Sequence, residues 1–559
     1  FISNYNPNLV GSTTGEIDDI SDRTTFQNFI ATATITTDFE KDFKIRVPIK
    51  TTTQLAYDFR KTVFDRFYAY GYDAPSYFPW NASQAGIYKV LTDYTEPAVT
   101  YGFLLNQRFE YGDIAGVSAG VRSDFSSSFG GGATAQTFPR GDAYLNISKF
   151  DFWQNMGISK AFSYFKLRAA YGEAGIQPRP FDRFPVLRAA NLGQNSVFTF
   201  PTSNPNPDLQ VEISKEIEFG ADFGFNLLKG SWLKNLNLSI TYWDRKTENA
   251  IYDVDAAPST GVGTIKNNAF SLGSNGFQAS MNINVHSSKN FTWDFTANFS
   301  NQTSKILSVT GQEVVVTSAA GSSNYVLRAG EKIGQLYGFL ILKSVDQVDP
   351  NTGLPFIAKA DQGLFEVASN GYVVNKATKR PANSPRQYAF GDPNPDFNMS
   401  FINTVSYKGI LTLNMQWDWL KGNNLYNQTK SWMYRDGIHA DYANPITIDG
   451  QTQAYTAFYR GIYQAGANNG TKDYFYEDAS FVRLRNISLA FDFAKAFKLK
   501  FANRLQLVVS GRNLVTFTKY TGYDPEVSSG ANNSAFDRGV DHNTIPNTKQ
   551  YSIGLNVGL

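Results

Sequence analysis

The 559 residues carry 51 basic and 49 acidic side chains, no cysteine, and 45 Phe, 31 Tyr and 8 Trp at a mean hydropathy of −0.32. This excludes disulfide frameworks, thiolate metal sites and cysteine nucleophiles, and the lack of any basic run or stripe leaves no case for nucleic acid. No window approaches the roughly 18–20 uninterrupted apolar residues of a membrane helix, but a membrane β-barrel dilutes its lipid face one-to-one with lumen residues and stays hydrophilic on average. The chain starts at Phe1 without a leader pattern, so either a leader was removed or the start is internal.

In chain order, strict alternation marks strands near 24–36 and 43–60. In the second, Phe43, Ile45, Val47, Ile49, Leu55, Tyr57 and Phe59 share one face, and Lys44, Arg46, Lys50, Gln54, Asp58 and Arg60 the other. Further strands follow near 99–110, 114–125, 144–150, 163–172, 213–227, 236–243, 277–285 and 290–304. The last of these contains NFTWDFTANFS, whose Phe291, Trp293, Phe295, Ala297 and Phe299 alternate with Thr292, Asp294, Thr296, Asn298 and Ser300. Strands near 398–407, 411–419, 480–493, 504–514 and 551–559 bring the number to about 15. Ten residues at about 3.3 Å each, tilted near 45°, span roughly 23 Å, which matches the apolar band of an outer-membrane barrel.

Short links (36–42, 109–113, 286–290, 407–409) take turns with long ones (61–98, 173–212, 248–274, 305–397, 421–479, 515–550). Antiparallel strands put successive links at opposite ends, so one end has tight turns and the other a crown of loops, as in outer-membrane barrels with short periplasmic turns. The expectation is an all-β transmembrane antiparallel barrel, with the aromatics of NFTWDFTANFS toward lipid and Asp294 toward a polar lumen. The long loops are expected outside and the C-terminus in the periplasm. An odd strand number does not close such a barrel with both ends periplasmic, so an N-terminal portion is expected to be missing.

The run DASFVRLRNISLAF (478–491), SGRNLVTFTKYTGYDPEV (510–527) and the closing YSIGLNVGL (551–559) closely resemble the SusC-like (SusC/RagA) TonB-dependent outer-membrane transporters of Bacteroidetes. Similar blocks are GDIAGVSAGVRSDFSSSFG (112–130), LRAAYGEAGIQP (167–178), NPDLQVE (206–212), GEKIGQLYGF (330–339) and GDPNPDF (391–397). The resemblance implies a 22-stranded barrel with an N-terminal plug, of which residues 1–559 would be the C-terminal part. It implies import of oligosaccharides or oligopeptides with a SusD-like surface lipoprotein, energy from a TonB complex acting on an absent N-terminal region, and contact with outer-membrane lipid and lipopolysaccharide. It further implies pairing of two transporter–lipoprotein units. Leu559 departs from the aromatic that commonly ends such barrels. The residues that match the motifs, Gly391, Asp392, Pro393, Pro395, Asp396, Arg483, Arg485, Asn513, Tyr523, Asp524 and Pro525, are read as structural. The rival reading is a passive pore or a structural barrel within a larger assembly.

Pro393 and Pro395 fix φ and extend the residues before them, which directs the 391–397 loop into the next strand. Asp524 before Pro525 favours a turn, with Tyr520 and Tyr523 at the barrel rim. In DQVDPNTGLP, Asp346, Asp349, Asn351 and Gly353 miss the register of an EF-hand loop, so a turn is preferred to calcium and no cofactor is expected. His286, His439 and His542 lie far apart, GGG at 130–132 lacks the Lys and Ser/Thr of a phosphate loop, and no catalytic grouping occurs, so no enzyme is expected. Loop aromatics are the more promising chemistry: Tyr72, Tyr77, Trp80, Trp432, Tyr434, Tyr474 and Tyr476 are candidates to touch cargo or the lipoprotein, against a reading as loop packing.

Overall fold

The computed structural model describes residues 2–3, 16–73, 81–129, 135–184, 187–192, 195–199, 203–228, 230–256, 259, 263–310, 314–317, 324–463, 473–527 and 538–558. Fifteen long strands stand out among them. They are β1 (Glu16–Asp38), β2 (Ile49–Tyr72), β3 (Ile87–Tyr111), β4 (Ala115–Ser126), β5 (Gln136–Asn146), β6 (Phe162–Ile176), β7 (Glu212–Asn226) and β8 (Asn235–Asp255). The remainder are β9 (Thr264–Ser287), β10 (Phe291–Ser300), β11 (Phe397–Tyr407), β12 (Leu411–Lys421), β13 (Phe481–Asp492), β14 (Arg504–Thr518) and β15 (Gln550–Gly558). The chain divides into two units, one of residues 1–143, 170–215 and 247–269, the other of 144–169, 216–246 and 270–559.

In the first unit, β1 pairs with β2 from Glu16↔Tyr72 to Asp38↔Lys50, β2 with β3, and β3 with β4, all antiparallel. One face is aromatic: Tyr57 lies 6.5 Å from Phe29 and 5.2 Å from Phe103, and Tyr101 stacks on Phe125 at 4.8 Å. The other carries an ionic row in which Asp58 accepts from Arg60 at 2.8 Å and Arg122 at 3.1 Å, while Arg122 also holds Asp124 at 2.8 Å. Period-two alternation sorts the two chemistries onto opposite faces of one sheet.

In the second unit β9 to β14 pair in sequence order, each with the next, and β14 pairs with β15. On β10 the two faces separate as alternation requires. Phe295 stacks near Phe401, Phe299 near Phe397, and Phe397 meets Trp419 edge-on at 4.9 Å. On the opposite face Asp294 accepts from Asn284 at 2.8 Å, Thr296 from Asn282 at 2.8 Å and Asn298 from Ser280 at 2.8 Å. These cross-strand pairs join the polar rows of neighbouring strands side chain to side chain.

The boundaries differ from the sequence reading in three ways. The segment 43–48 is not strand: Phe39–Phe43 is a helical turn capped by the Asp38 carboxylate, and Lys44 takes φ 56°. Local hydrogen bonding by Asp38 outcompetes the strand there. The strand expected at 144–150 lies at 136–146, followed by turns over 147–149 and 151–155; Pro139 within it argues against a strand in sequence. Finally, β2, β3, β8 and β9 extend well into the links expected at 61–98 and 248–274. Strands of this length exceed the roughly 9–11 residues a membrane needs, so their ends stand clear of the apolar band and lose its alternation.

Thr303–Val309 pairs antiparallel with β9, and among the described residues the rest of 301–396, together with 422–480 and 519–549, builds packed structure of its own. Strands 314–317, 324–327, 336–341 and 383–391 form a small sheet. Around helices Gln428–Asp436 and Thr456–Tyr463, the buried Leu336, Ile341, Tyr426, Tyr434, Phe458, Ile462 and Phe475 make a core. Asn427 caps the first helix and Gly437, at φ 70°, ends it.

Candidate functional site

An open cavity of about 760 Å³ lies against strands of the second unit, lined mainly by polar side chains with Phe299, Met399 and Trp419 at its margin. Its lining includes Ser280, Asn298, Ser400, Asp418, Arg485 and Glu526. Arg168, Ser239 and Thr241 stand on the same wall. Charges of both signs therefore face it, held by short ion pairs rather than left to solvent.

Arg485 is the centre of this wall. Its Nε donates to Asp418 Oδ2 at 2.7 Å, its Nη2 to Glu526 Oε1 at 2.8 Å and its Nη1 to Glu526 Oε2 at 2.9 Å. Arg483, 2% exposed, donates from Nη2 to Asp524 Oδ1 at 2.5 Å, from Nη1 to Glu526 Oε2 at 2.6 Å and from Nε to Thr516 at 2.9 Å. Glu526 thus bridges two guanidinium forks, the geometry arginine supplies and lysine does not. A bulge allows it: β13 shifts register against β14 between Leu484 and Asn486, and opposite it Asn513 adopts φ 53°. Asn tolerates that left-handed backbone, and its side chain accepts from Arg485 at 3.2 Å and donates to Thr548 O at 3.3 Å. The RLRN and GRNL blocks are therefore two halves of one bulge.

Asp524 ties the 519–549 connection to this bulge. It accepts the N–H groups of Glu526 and Asn547, each at 2.9 Å, besides the Arg483 fork. Burial alone would raise its carboxyl, but the ion pair and the two backbone donors hold it below the usual carboxylate range. Tyr520 is buried and donates to Asp541 at 2.7 Å, while Tyr523 is 82% exposed.

A second polar cluster stands on β6 to β8. Arg168 donates to Thr241 at 2.7 Å and Ser239 at 3.0 Å and pairs with Asp222 at 3.2 Å. A Cβ on Gly220 would sit 2.5 Å from the Arg168 Cζ, so glycine there leaves the guanidinium its place.

The GDPNPDF block meets the GEKIGQLYGF block, which the sequence reading kept apart. Asp392 accepts the Asn394 N–H at 2.9 Å and pairs with Lys332 at 2.9 Å; Gln335 donates to Gly391 O at 2.9 Å, and Asn394 to Ile333 O at 3.0 Å. Pro393 packs against Gly334 and Gly539. The Asp396 N–H donates to Lys421 O at 2.7 Å, fastening the link to β12 beside Pro395.

Of the loop aromatics, Tyr72, Trp432, Tyr474 and Tyr476 are partly buried and Tyr434 is buried. Tyr434 is fully buried, with its hydroxyl on Asp441 and 2.8 Å from that of Tyr474, and burial raises its phenol far above the ordinary value. Tyr474 and Tyr476 pack on the same core, and Tyr476 donates to Tyr337 O at 3.0 Å. Trp432 is half-buried, edge-on to His542 at 4.7 Å. Tyr72 rests 5.7 Å from Tyr70, and Tyr77 and Trp80 lie outside the described residues. His439 caps a 3-10 turn through Nδ1, and His286 stands edge-on to Trp232 at 4.4 Å. In the 346–355 turn Asp349 accepts the Asn351 N–H at 2.8 Å and lies 3.6 Å from Arg386, Asp346 takes the Ser344 hydroxyl, and Gly353 has φ 70°. Within 422–480 the described aromatics thus build part of a core, a use that residue type alone does not distinguish from a binding surface.

Long antiparallel strands with an aromatic face and a polar or ionic face are the strand pattern of outer-membrane β-barrels. Residues 2–338 match the family model described as TonB dependent receptor-like, beta-barrel, and the chain belongs to that family. It is 28% identical over 454 residues to TonB-dependent receptor P3 of Formosa agariphila, covering 78% of this chain and 43% of the relative. Against TonB-dependent receptor SusC of Bacteroides thetaiotaomicron it is 24% identical over 464 residues, covering 78% and 41%. The chain thus spans less than half the length of the curated relatives it matches. The RagAB peptide importer in its closed-closed state shares the fold, with a TM-score of 0.71 and 16% identity over 98% of this chain and 57% of that one.

Proposed function

We propose that this chain supplies barrel wall and outer loops to a transporter that imports oligosaccharides or oligopeptides across the outer membrane. The observation that carries the reading is the open cavity of about 760 Å³, whose lining combines hydroxyls, amides and paired charges of both signs with a few aromatic and aliphatic side chains. Such a lining exchanges hydrogen bonds with a polar, flexible solute along its path and holds it at no single point. Among the proteins it resembles, one is named for peptide import and others as TonB-dependent receptors, which supports energised uptake over passive diffusion. In this reading a SusD-like surface lipoprotein delivers the cargo to the 301–396, 422–480 and 519–549 connections, which face outward, and TonB supplies the energy through the full-length protein. The wall residues position and pass the solute and perform no covalent chemistry.

The test is uptake of labelled oligosaccharide and oligopeptide pools by cells carrying the full-length protein, with and without TonB, alongside identification of lipoproteins that copurify. Accumulation of one pool that stops without TonB is the expected result. Entry that is independent of TonB and unselective in charge and size identifies a passive pore instead.

A further inference from the structure

We infer that the row of short connections in the second unit is a binding surface for the anionic headgroups of glycerophospholipids in the leaflet on that side. The inference rests on the outer-membrane reading above. Connections 147–161, 227–234, 288–290, 408–410 and 493–503 carry nine basic residues and one acidic residue, Asp151. The long connections of the same unit, 301–396, 422–480 and 519–549, carry sixteen basic and eighteen acidic residues. Positive charge is therefore concentrated at one end of the strands, although the whole chain is nearly neutral.

The five connections form one continuous row. The Asn226 N–H donates to Ala161 O at 2.7 Å, the Leu233 N–H to Val285 O at 2.8 Å and the Ser287 N–H to Ser231 O at 2.7 Å. Farther along, the Lys408 N–H donates to Asn290 O at 2.6 Å and the Asp492 N–H to Ile410 O at 2.8 Å, while Lys495 Nζ reaches Gly409 O at 3.3 Å. Bulky apolar side chains project from the same segments: Phe152 is 54% exposed, Trp232 54%, Phe497 66% and Phe501 69%. Apolar rings beside lysines, at the ends of strands whose faces are aromatic, fit the boundary between acyl chains and phosphates. The charge excess then selects anionic headgroups over zwitterionic ones.

The test uses the full-length protein in phosphatidylcholine bilayers with trace spin-labelled phosphatidylglycerol or spin-labelled phosphatidylcholine. Electron paramagnetic resonance reads the fraction of each label immobilised by protein. A several-fold preference for phosphatidylglycerol at low salt is expected, on the order of fivefold per lysine–headgroup contact. It falls toward unity at about 0.5 M salt, where screening is short-ranged. K495Q/K498Q/K500Q, and independently K289Q/K408Q at the middle of the row, are expected to lower it at least twofold. Equal immobilisation of both lipids by the native protein overturns the inference, as does a preference that both variants retain. The gel shift between heated and unheated protein reports the folded barrel separately, so failure of the outer-membrane reading is distinguished from failure of the lipid preference.

Discussion

Arg485 and Asp418, 67 positions apart in sequence, meet at 2.7 Å on the cavity wall, and the same guanidinium takes the Glu526 carboxylate that Arg483 also holds. One carboxylate from a connecting loop is thereby locked between two arginines of a strand. The loop's position is set by the wall itself.

Removing one partner of the buried Arg483–Asp524 pair leaves the other charge uncompensated, a cost of about 3–5 kcal/mol. Arg483→Ala and Asp524→Ala should each lower the unfolding temperature of the full-length protein in detergent, and the double variant should lose less than the sum. Arg483→Lys should fall between, because an ammonium cannot serve Asp524, Glu526 and Thr516 together. Additive losses would mean that the two residues act separately.

Asp524 also carries a pH dependence of definite sign. Its carboxyl is held below its unfolded value, so the stabilisation is complete above the unfolded value, about pH 3.9, and is lost as pH falls through the lower folded one. Proteolytic cleavage within 519–549 should therefore stay constant from pH 8 to about pH 5 and rise only in stronger acid. Asp473 runs the other way. Burial pushes its carboxyl up to about 6 while its Oδ1 accepts the Ile341 N–H at 2.9 Å. Its contribution is full below the unfolded value and is lost as pH rises through about 6, so exchange of the Ile341 amide should be slower at pH 5 than at pH 7 after correction for intrinsic rates.

The two faces of β11 predict opposite responses to one residue type. Phe401→Arg puts a charge on the aromatic face and should cost about 2–4 kcal/mol of folding into bilayers at mid-depth. Ser400→Arg, on the cavity side, should fold near the native yield. The heat-induced gel shift after refolding into liposomes measures both. Equal losses would contradict the assignment of faces.

Asn513 separates backbone from side chain. Asn513→Gly keeps the φ 53° turn and loses the contact with Arg485, whereas Asn513→Val adds left-handed strain of about 1–2 kcal/mol to that loss. Valine should therefore destabilise more than glycine in thermal unfolding, and the reverse order would remove the bulge argument.

Strand number, the separation of NFTWDFTANFS into an aromatic and a polar face, and the alternation of short and long connections were all legible in sequence, because a period of two needs only neighbouring residues. The family resemblance was legible for the same kind of reason, since its blocks are local. Misplacement occurred where local chemistry broke the period: the Asp38 cap before Phe39–Phe43, and Pro139 inside β5. The loop tyrosines could not be sorted at all. A buried Tyr434 and a half-buried Trp432 look alike in sequence, and only the packing of three distant connections tells them apart.

By itself, then, the sequence determined the strands and their two faces, each a property of residues close together along the chain. Tertiary structure alone decided that Arg483, Arg485, Asp418, Asn513, Asp524 and Glu526 form one network, and that the GDPNPDF and GEKIGQLYGF blocks close on each other. Those partners come from different strands and connections, and no local periodicity encodes which distant carboxylate a guanidinium will meet.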